Sequence, residues 1–145
     1  MVLDDLYKEV ILDHYKNPRN KRPLDAPSVS LHKNNPLCGD EVAIHARLGD
    51  GKVTEVAFEG QGCSISQASA SMLTEAVRGR TMEDADALAR EFRAMMEGKA
   101  EPDEEAFGDL IALRGVVKYP VRIKCAVLSW DVLQDALAEA GPGGA

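Results

Sequence analysis

Cys38, Cys63 and Cys125 are the residues of this chain with the most chemistry to offer, and Asp40 follows the first of them by two positions. A thiolate is both a nucleophile and a ligand for soft or borderline metals. Cys38 stands in Asn35-Pro-Leu-Cys-Gly-Asp40, Cys63 in Gly60-Gln-Gly-Cys-Ser-Ile-Ser66, and Cys125 a few residues after Tyr119-Pro120. All three are therefore expected at the ends of elements, where a backbone can present a side chain. Cys63 and Cys125 are also expected near helix N-termini, whose partial positive charge favours the thiolate. Gly39, Gly60 and Gly62 allow the backbone to approach a ligand closely. Three sulfurs with the Asp40 oxygen would complete a tetrahedral zinc site or cap the iron of a cluster. The spacing contains no Cys-x-x-Cys pair, so burial as small hydrophobes stays open, above all for Cys125 with Ala126 and Val127 behind it. A Cys–His hydrolase fits less well, because His14, His32 and His45 all lie away from the cysteines in sequence.

The elements that must position these residues read as follows. Residues 3–15 form a helix with Asp4 and Asp5 in its first turn, Leu3, Leu6, Val10 and Tyr15 near one face, and Asn17-Pro18 as its stop. Asn17–Pro27 is a loop. Glu41–Leu48 alternates with Val42, Ile44, Ala46 and Leu48 on one face, and in Lys52–Glu59 the inward set reads Thr54, Val56 and Phe58. Gly49-Asp50-Gly51 joins the two as a hairpin, and Ser28–His32 adds a third strand. Helical spacing follows over Ile65–Val77, closed by Gly79, and again from a Thr81–Asp84 capping box to Gly98. Glu101–Glu105 is an acidic turn, and a last helix after Tyr119-Pro120 turns Ile123, Val127, Trp130, Leu133 and Leu137 inward. Met95 and Met96 read as core filler, with a partner-facing patch as the alternative. Strands first and helices afterwards give an α+β fold: a small three-stranded antiparallel sheet with helices on one face. One domain over residues 1–140 and a flexible tail over 141–145 are expected.

Composition narrows the function. The chain of 145 residues has 24 acidic and 17 basic side chains, a formal charge of −7, which disfavours nucleic acid as a partner. Lys16, Arg19, Lys21 and Arg22 form a local basic cluster, read as a solvated loop or a protein-docking patch. No apolar run reaches the roughly 20 residues of a membrane span, and the N-terminus has no apolar signal core, so a cytoplasmic protein with reduced thiols is expected.

Four segments carry a resemblance. Glu9–Asn20 (EVILDHYKNPRN), Asn35–Asp40 (NPLCGD), Gly60–Ser71 (GQGCSISQASAS) and Arg122–Trp130 (RIKCAVLSW) together resemble the U-type iron–sulfur cluster assembly scaffold family, in the family's order. The resemblance implies a metal site of Cys38, Asp40, Cys63 and Cys125, with zinc, or alternatively iron or a [2Fe–2S] cluster, as its occupant. It implies a cysteine desulfurase as sulfur donor, apo iron–sulfur proteins or a downstream scaffold as recipients, and Cys125 as the favoured persulfide acceptor. Any enzymatic role is at most that of a sulfurtransferase-type acceptor.

Three departures separate the chain from scaffold members of that family. Lys124 stands where they carry a histidine before the last cysteine, and Val117–Lys124 (VKYPVRIK) replaces their chaperone-recruiting Leu-Pro-Pro-Val-Lys segment. An additional helical and acidic segment, about Arg80 to Glu105, lies between the second and third cysteines. All three resemble the SufU-like sulfur-mobilisation branch, whose members bind zinc and accept sulfur. A zinc-dependent relay is therefore the favoured expectation, a [2Fe–2S] scaffold the alternative, and a structural zinc module the reading from another class. Arg122 and Lys124 beside Cys125 are expected either to favour its thiolate or to be plain solvated cations.

Overall fold

The computed structural model describes residues 2–35, 39–101 and 103–141. Helix α1 spans Val2–Lys16 and ends at the Asn17-Pro18 stop. Strands β1 (Val29–Asn35), β2 (Asp40–Gly49) and β3 (Lys52–Gln61) form one antiparallel sheet in the order β1-β2-β3. Helices α2 (Ser64–Val77), α3 (Met82–Met96), α4 (Glu104–Phe107) and α5 (Pro120–Ala140) follow, with a 3-10 segment, Gly108–Lys118, leading into α5. This is the α+β architecture expected from the order of periodicities. Beyond Gly141 the expected tail lies outside the described residues.

β2 explains the layering. Its residues alternate strictly between buried and half-buried, and Val42, Ile44 and Ala46 have no exposed surface. α2 and α5 cover that inner face. Period-two burial on one face is what a sheet covered by helices on one side requires. Asp50 and Gly51, both with positive φ (53° and 75°), make the tight β2–β3 turn. This is the turn geometry that suits the twist of a hairpin.

One strand face departs from simple alternation. Arg47 pairs with Glu55 and Leu48 with Val53, so Thr54 is an extra residue in β3. It is exposed, and its hydroxyl donates to the Arg47 carbonyl at 3.0 Å. The inward set is therefore Val53, Val56 and Phe58, and the assignment of Thr54 to it is corrected by this β-bulge.

α1 also buries a different stripe from the one its sequence suggests. Ile11 and His14 are buried and Tyr7 and Val10 pack against the core, whereas Leu6 and Tyr15 are about half exposed. His14 accounts for the difference. Its Nδ1 lies 2.8 Å from the Ser71 hydroxyl on α2 and its Nε2 2.9 Å from the Asp109 carboxylate on the 3-10 segment. A polar residue with both ring nitrogens satisfied can lie inward, and this rotates the helix towards it.

α3 and α5 are joined by the stacked rings of Phe92 and Trp130, with centroids 4.9 Å apart. α2 and α5 are joined by Ser69, whose hydroxyl donates to the Ala126 carbonyl at 2.6 Å and accepts from the Trp130 indole at 3.2 Å. Met95 and Met96 are buried core, not a surface patch. The segment Asn20–Arg22 runs along β3, with the Phe58 N–H donating to the Asn20 carbonyl and the Arg22 N–H to the Phe58 carbonyl. Much of the basic cluster is spent locally: Arg19 pairs with Asp13, Arg22 with Glu55, and Lys21 lies over the Phe58 ring.

Candidate metal and sulfur site

The site forms where the start of β2, the end of β3 and the starts of α2 and α5 converge. Asp40 opens β2 and is completely buried. Its Oδ1 accepts the backbone N–H of Cys63 at 2.8 Å, and its Oδ2 lies 3.6 Å from the Cys63 sulfur. Cys63 is itself the N-cap residue of α2 and makes no side-chain cap of its own. The carboxylate thus takes over a donor that the helix leaves unpaired, where the helix dipole favours negative charge.

Gly62 makes this crossing possible. Its φ is 148°, and a Cβ there would fall 2.2 Å from Asp40 Oδ1. Gly60 is similarly constrained, because a Cβ would meet the Glu41 carbonyl at 2.1 Å. The two glycines before Cys63 therefore let β3 leave the sheet directly over the Asp40 carboxylate.

Cys125 comes from the second turn of α5, and its side chain is fully buried, with the thiol 4.0 Å from the Val121 carbonyl. Cys125 is thus in the first turns of the last helix as expected, and the burial left open for it is what the structure shows; Cys63 is half-buried and is the more open of the two described thiols. Ligand atoms of Asp40, Cys63 and Cys125 all lie within 4.8 Å of one another, and among the described residues this is where such a group forms. Cys38, two residues before Asp40, lies outside the described residues.

The two cations beside Cys125 part company. Arg122 is pushed above its ordinary value, first by a hydrogen bond with the Cys125 side chain and then by the charge of Cys63. Its guanidinium therefore faces the sulfurs. Lys124 is exposed and sits two residues from Arg122, on another side of the helix. The i, i+3 spacing of Arg122 and Cys125 was the signal that separates them in sequence. The outer-face histidine His45 bonds Ser30 and Glu59, His14 is tied to Ser71 and Asp109, and neither joins the thiol group.

With this geometry in view, the comparisons with known proteins decide the family. Residues 6–126 match the family model described as the NifU-like N terminal domain. The chain belongs to the NifU-like N-terminal domain family. Within this family it is 49% identical over 137 residues to the zinc-dependent sulfurtransferase SufU of Bacillus subtilis, covering 94% of this chain and 92% of that one. It is 41% identical over 135 residues to the iron–sulfur cluster assembly scaffold protein IscU of Streptococcus pyogenes, covering 93% and 84%. The crystal structure of a candidate iron–sulfur cluster assembly scaffold for the SUF system from Fervidobacterium islandicum superposes with a TM-score of 0.84 at 36% identity, over 89% of this chain and 94% of that one. The NifU-like three-stranded sheet with helices on one face is thus a fold shared with experimentally solved relatives.

The donor set fits the zinc that the B. subtilis relative's name carries. Two thiols and a buried carboxylate are borderline-soft and hard donors of the kind zinc takes. The Cys63 N–H fixes one oxygen of Asp40 and leaves the other facing the sulfur, an orientation by an outer-shell donor.

Proposed function

We propose that this protein accepts persulfide sulfur from a cysteine desulfurase and passes it toward iron–sulfur cluster assembly. We further propose that Asp40, Cys63 and Cys125, joined by Cys38, hold a zinc ion. The observation that carries the reading is the convergence of Asp40, Cys63 and Cys125 at the N-terminus of α2. A bound zinc would keep these thiols deprotonated and gathered until a partner docks.

The chain's own residues supply the rest. Asp40, anchored to the Cys63 N–H, holds the α2 N-cap against β2, and Arg122 places positive charge beside the sulfurs. In the transfer step a thiolate attacks the outer sulfur of the donor persulfide. A new S–S bond forms on this protein, the donor S–S bond breaks, and the donor leaves as its thiolate. Access ranks the thiols. Of the two described thiols Cys125 is enclosed and Cys63 is the more open, so the acceptor role, which the family resemblance favours for Cys125, is better met by Cys63, with Cys38, outside the described residues, as the other candidate.

Cysteine-dependent alanine production by a cysteine desulfurase tests the function. The zinc-loaded protein is expected to stimulate it strongly, and Cys63→Ser is expected to remove the stimulation. Peptide mapping by mass spectrometry should find the added sulfur on the peptide of Cys63 or Cys38. Sulfur on Cys125 would overturn the ranking by access, and absence of stimulation would overturn the relay. The name of the S. pyogenes relative supports a second reading, in which a [2Fe–2S] cluster is cargo assembled on the same thiols. Anaerobic reconstitution followed by transfer of the cluster to an apo-ferredoxin separates the two.

A further inference from the structure

A groove of about 920 Å³ runs beside the thiol site, between α1, the start of α2, the 3-10 segment and the start of α5. Its walls are apolar and aromatic: Tyr7 and Ile11 from α1, Ile65 from α2, Val116 from the 3-10 segment, then Tyr119 and Val121. Tyr119 and Val121 are 62% and 72% exposed, so apolar surface is left open to solvent at its mouth. The size and lining are those of a site for a small organic molecule.

Charge says what kind of molecule. Lys8, Lys118 and Arg122 line the groove and, among the described residues, no acidic side chain does, in a chain where acids outnumber bases by 24 to 17. The described charged residues of the groove wall are thus all cations. Several backbone groups at the start of α5 are already paired or lack a donor. Pro120 has no N–H, the N–H groups of Arg122 and Ile123 both donate to the Tyr119 carbonyl, and that of Tyr119 donates to the Val116 carbonyl. Anion recognition falls to side chains, and the planar fork of Arg122 matches a carboxylate through two parallel hydrogen bonds.

We propose that this groove binds a small organic carboxylate with an alkyl or aryl body, the body between Tyr7 and Tyr119 and the carboxylate on Arg122. Because Arg122 also faces Cys125 and Cys63, such a ligand competes with the sulfurs for one guanidinium. The inference does not depend on sulfur transfer and applies equally if the protein is a cluster scaffold.

The test titrates the purified protein with 4-phenylbutyrate, phenyl phosphate and 4-phenylbutanol and follows amide and Arg Nε resonances by NMR. The carboxylate is expected to bind saturably, with shifts gathered at Tyr7, Ile65, Gly115, Tyr119 and the Arg122 side chain. The phosphate and the alcohol should bind at least about tenfold more weakly. Gly115→Leu fills the groove, since a Cβ at 115 already meets Tyr7 at an ordinary 3.7 Å, and should weaken binding by a similar factor. Val121→Glu places a like charge on an exposed wall position and should weaken the carboxylate but not the alcohol. Four outcomes would overturn the proposal: no saturable binding, shifts scattered away from the groove, alcohol or phosphate binding as tightly as the carboxylate, or full affinity retained in a folded Val121→Glu protein.

Discussion

A methyl group at position 62 would sit 2.2 Å from Asp40 Oδ1, closer than any Cβ is found to an oxygen it does not bond. Gly62→Ala must therefore push the carboxylate off the Cys63 N–H or strain a backbone whose φ is 148°. The expected outcome is a fall in zinc affinity of about 10–100-fold, the range seen when an orienting partner is lost. A competition titration against a chromophoric chelator measures it, with circular dichroism confirming that the sheet persists. Wild-type affinity in the variant would mean that Asp40 is not held as described. At this scale much was legible in sequence, because the glycines just before Cys63 signal a close approach of backbone to the site. The burial of Cys125 was one of two open readings, since it is settled by how α5 lies against α2. The choice of Arg122 over Lys124 was left open as well, although the i, i+3 spacing to Cys125 is the local signal that points to Arg122.

Elements carry the next group of expectations. Thr81 caps α3 by accepting the Asp84 N–H at 3.0 Å, and Thr81→Ala should cost about 1 kcal/mol in urea-induced unfolding. Phe92→Ala removes one ring of the stack with Trp130 in a fully buried setting and should cost about 3–5 kcal/mol in the same measurement. Equal losses for the two variants would show that α3 is not anchored through its aromatic contact. The capping box, the hairpin turn and the helical spacing of α2, α3 and α5 all appear in the sequence because they are local patterns. What escaped it is non-local. The inward turn of α1 depends on His14 meeting Ser71 and Asp109, 57 and 95 residues away, and the bulge at Thr54 depends on the register against Arg47. The run of 3-10 turns over Gly108–Lys118 has no sequence signature of its own.

For the whole molecule, the question is whether the metal builds the fold or is received by it. Trp130, Phe58, Phe92, Ile44 and Leu73 are fully buried in one continuous cluster of apolar side chains that closes without the thiols. Chelation with EDTA should therefore leave a single cooperative melting transition. Added zinc should raise its midpoint by several degrees, since saturation at a hundred times the dissociation constant contributes about 2.7 kcal/mol. Loss of cooperative unfolding in EDTA would favour a structural zinc module, because such modules are unfolded without metal. Cys125→Ser is expected to melt like the EDTA-treated protein, for the same reason. No helix among the described residues is long and apolar enough to cross a membrane.

The passage of Asn20–Arg22 along β3 bears on how copies of this protein meet one another. An unpaired sheet edge is a template on which a second chain can add a strand. On the β3 side the hydrogen bonds at Phe58 are already taken by the molecule's own loop. The same loop follows directly from α1, so the helix tethers the guard in place. On the far side, β1 carries Lys33, whose ion pair with Asp135 places charge along that rim. A small sheet with one rim occupied from within and the other charged resists edge-to-edge stacking, so concentrated protein should stay free of fibrillar aggregates as long as α1 stays docked.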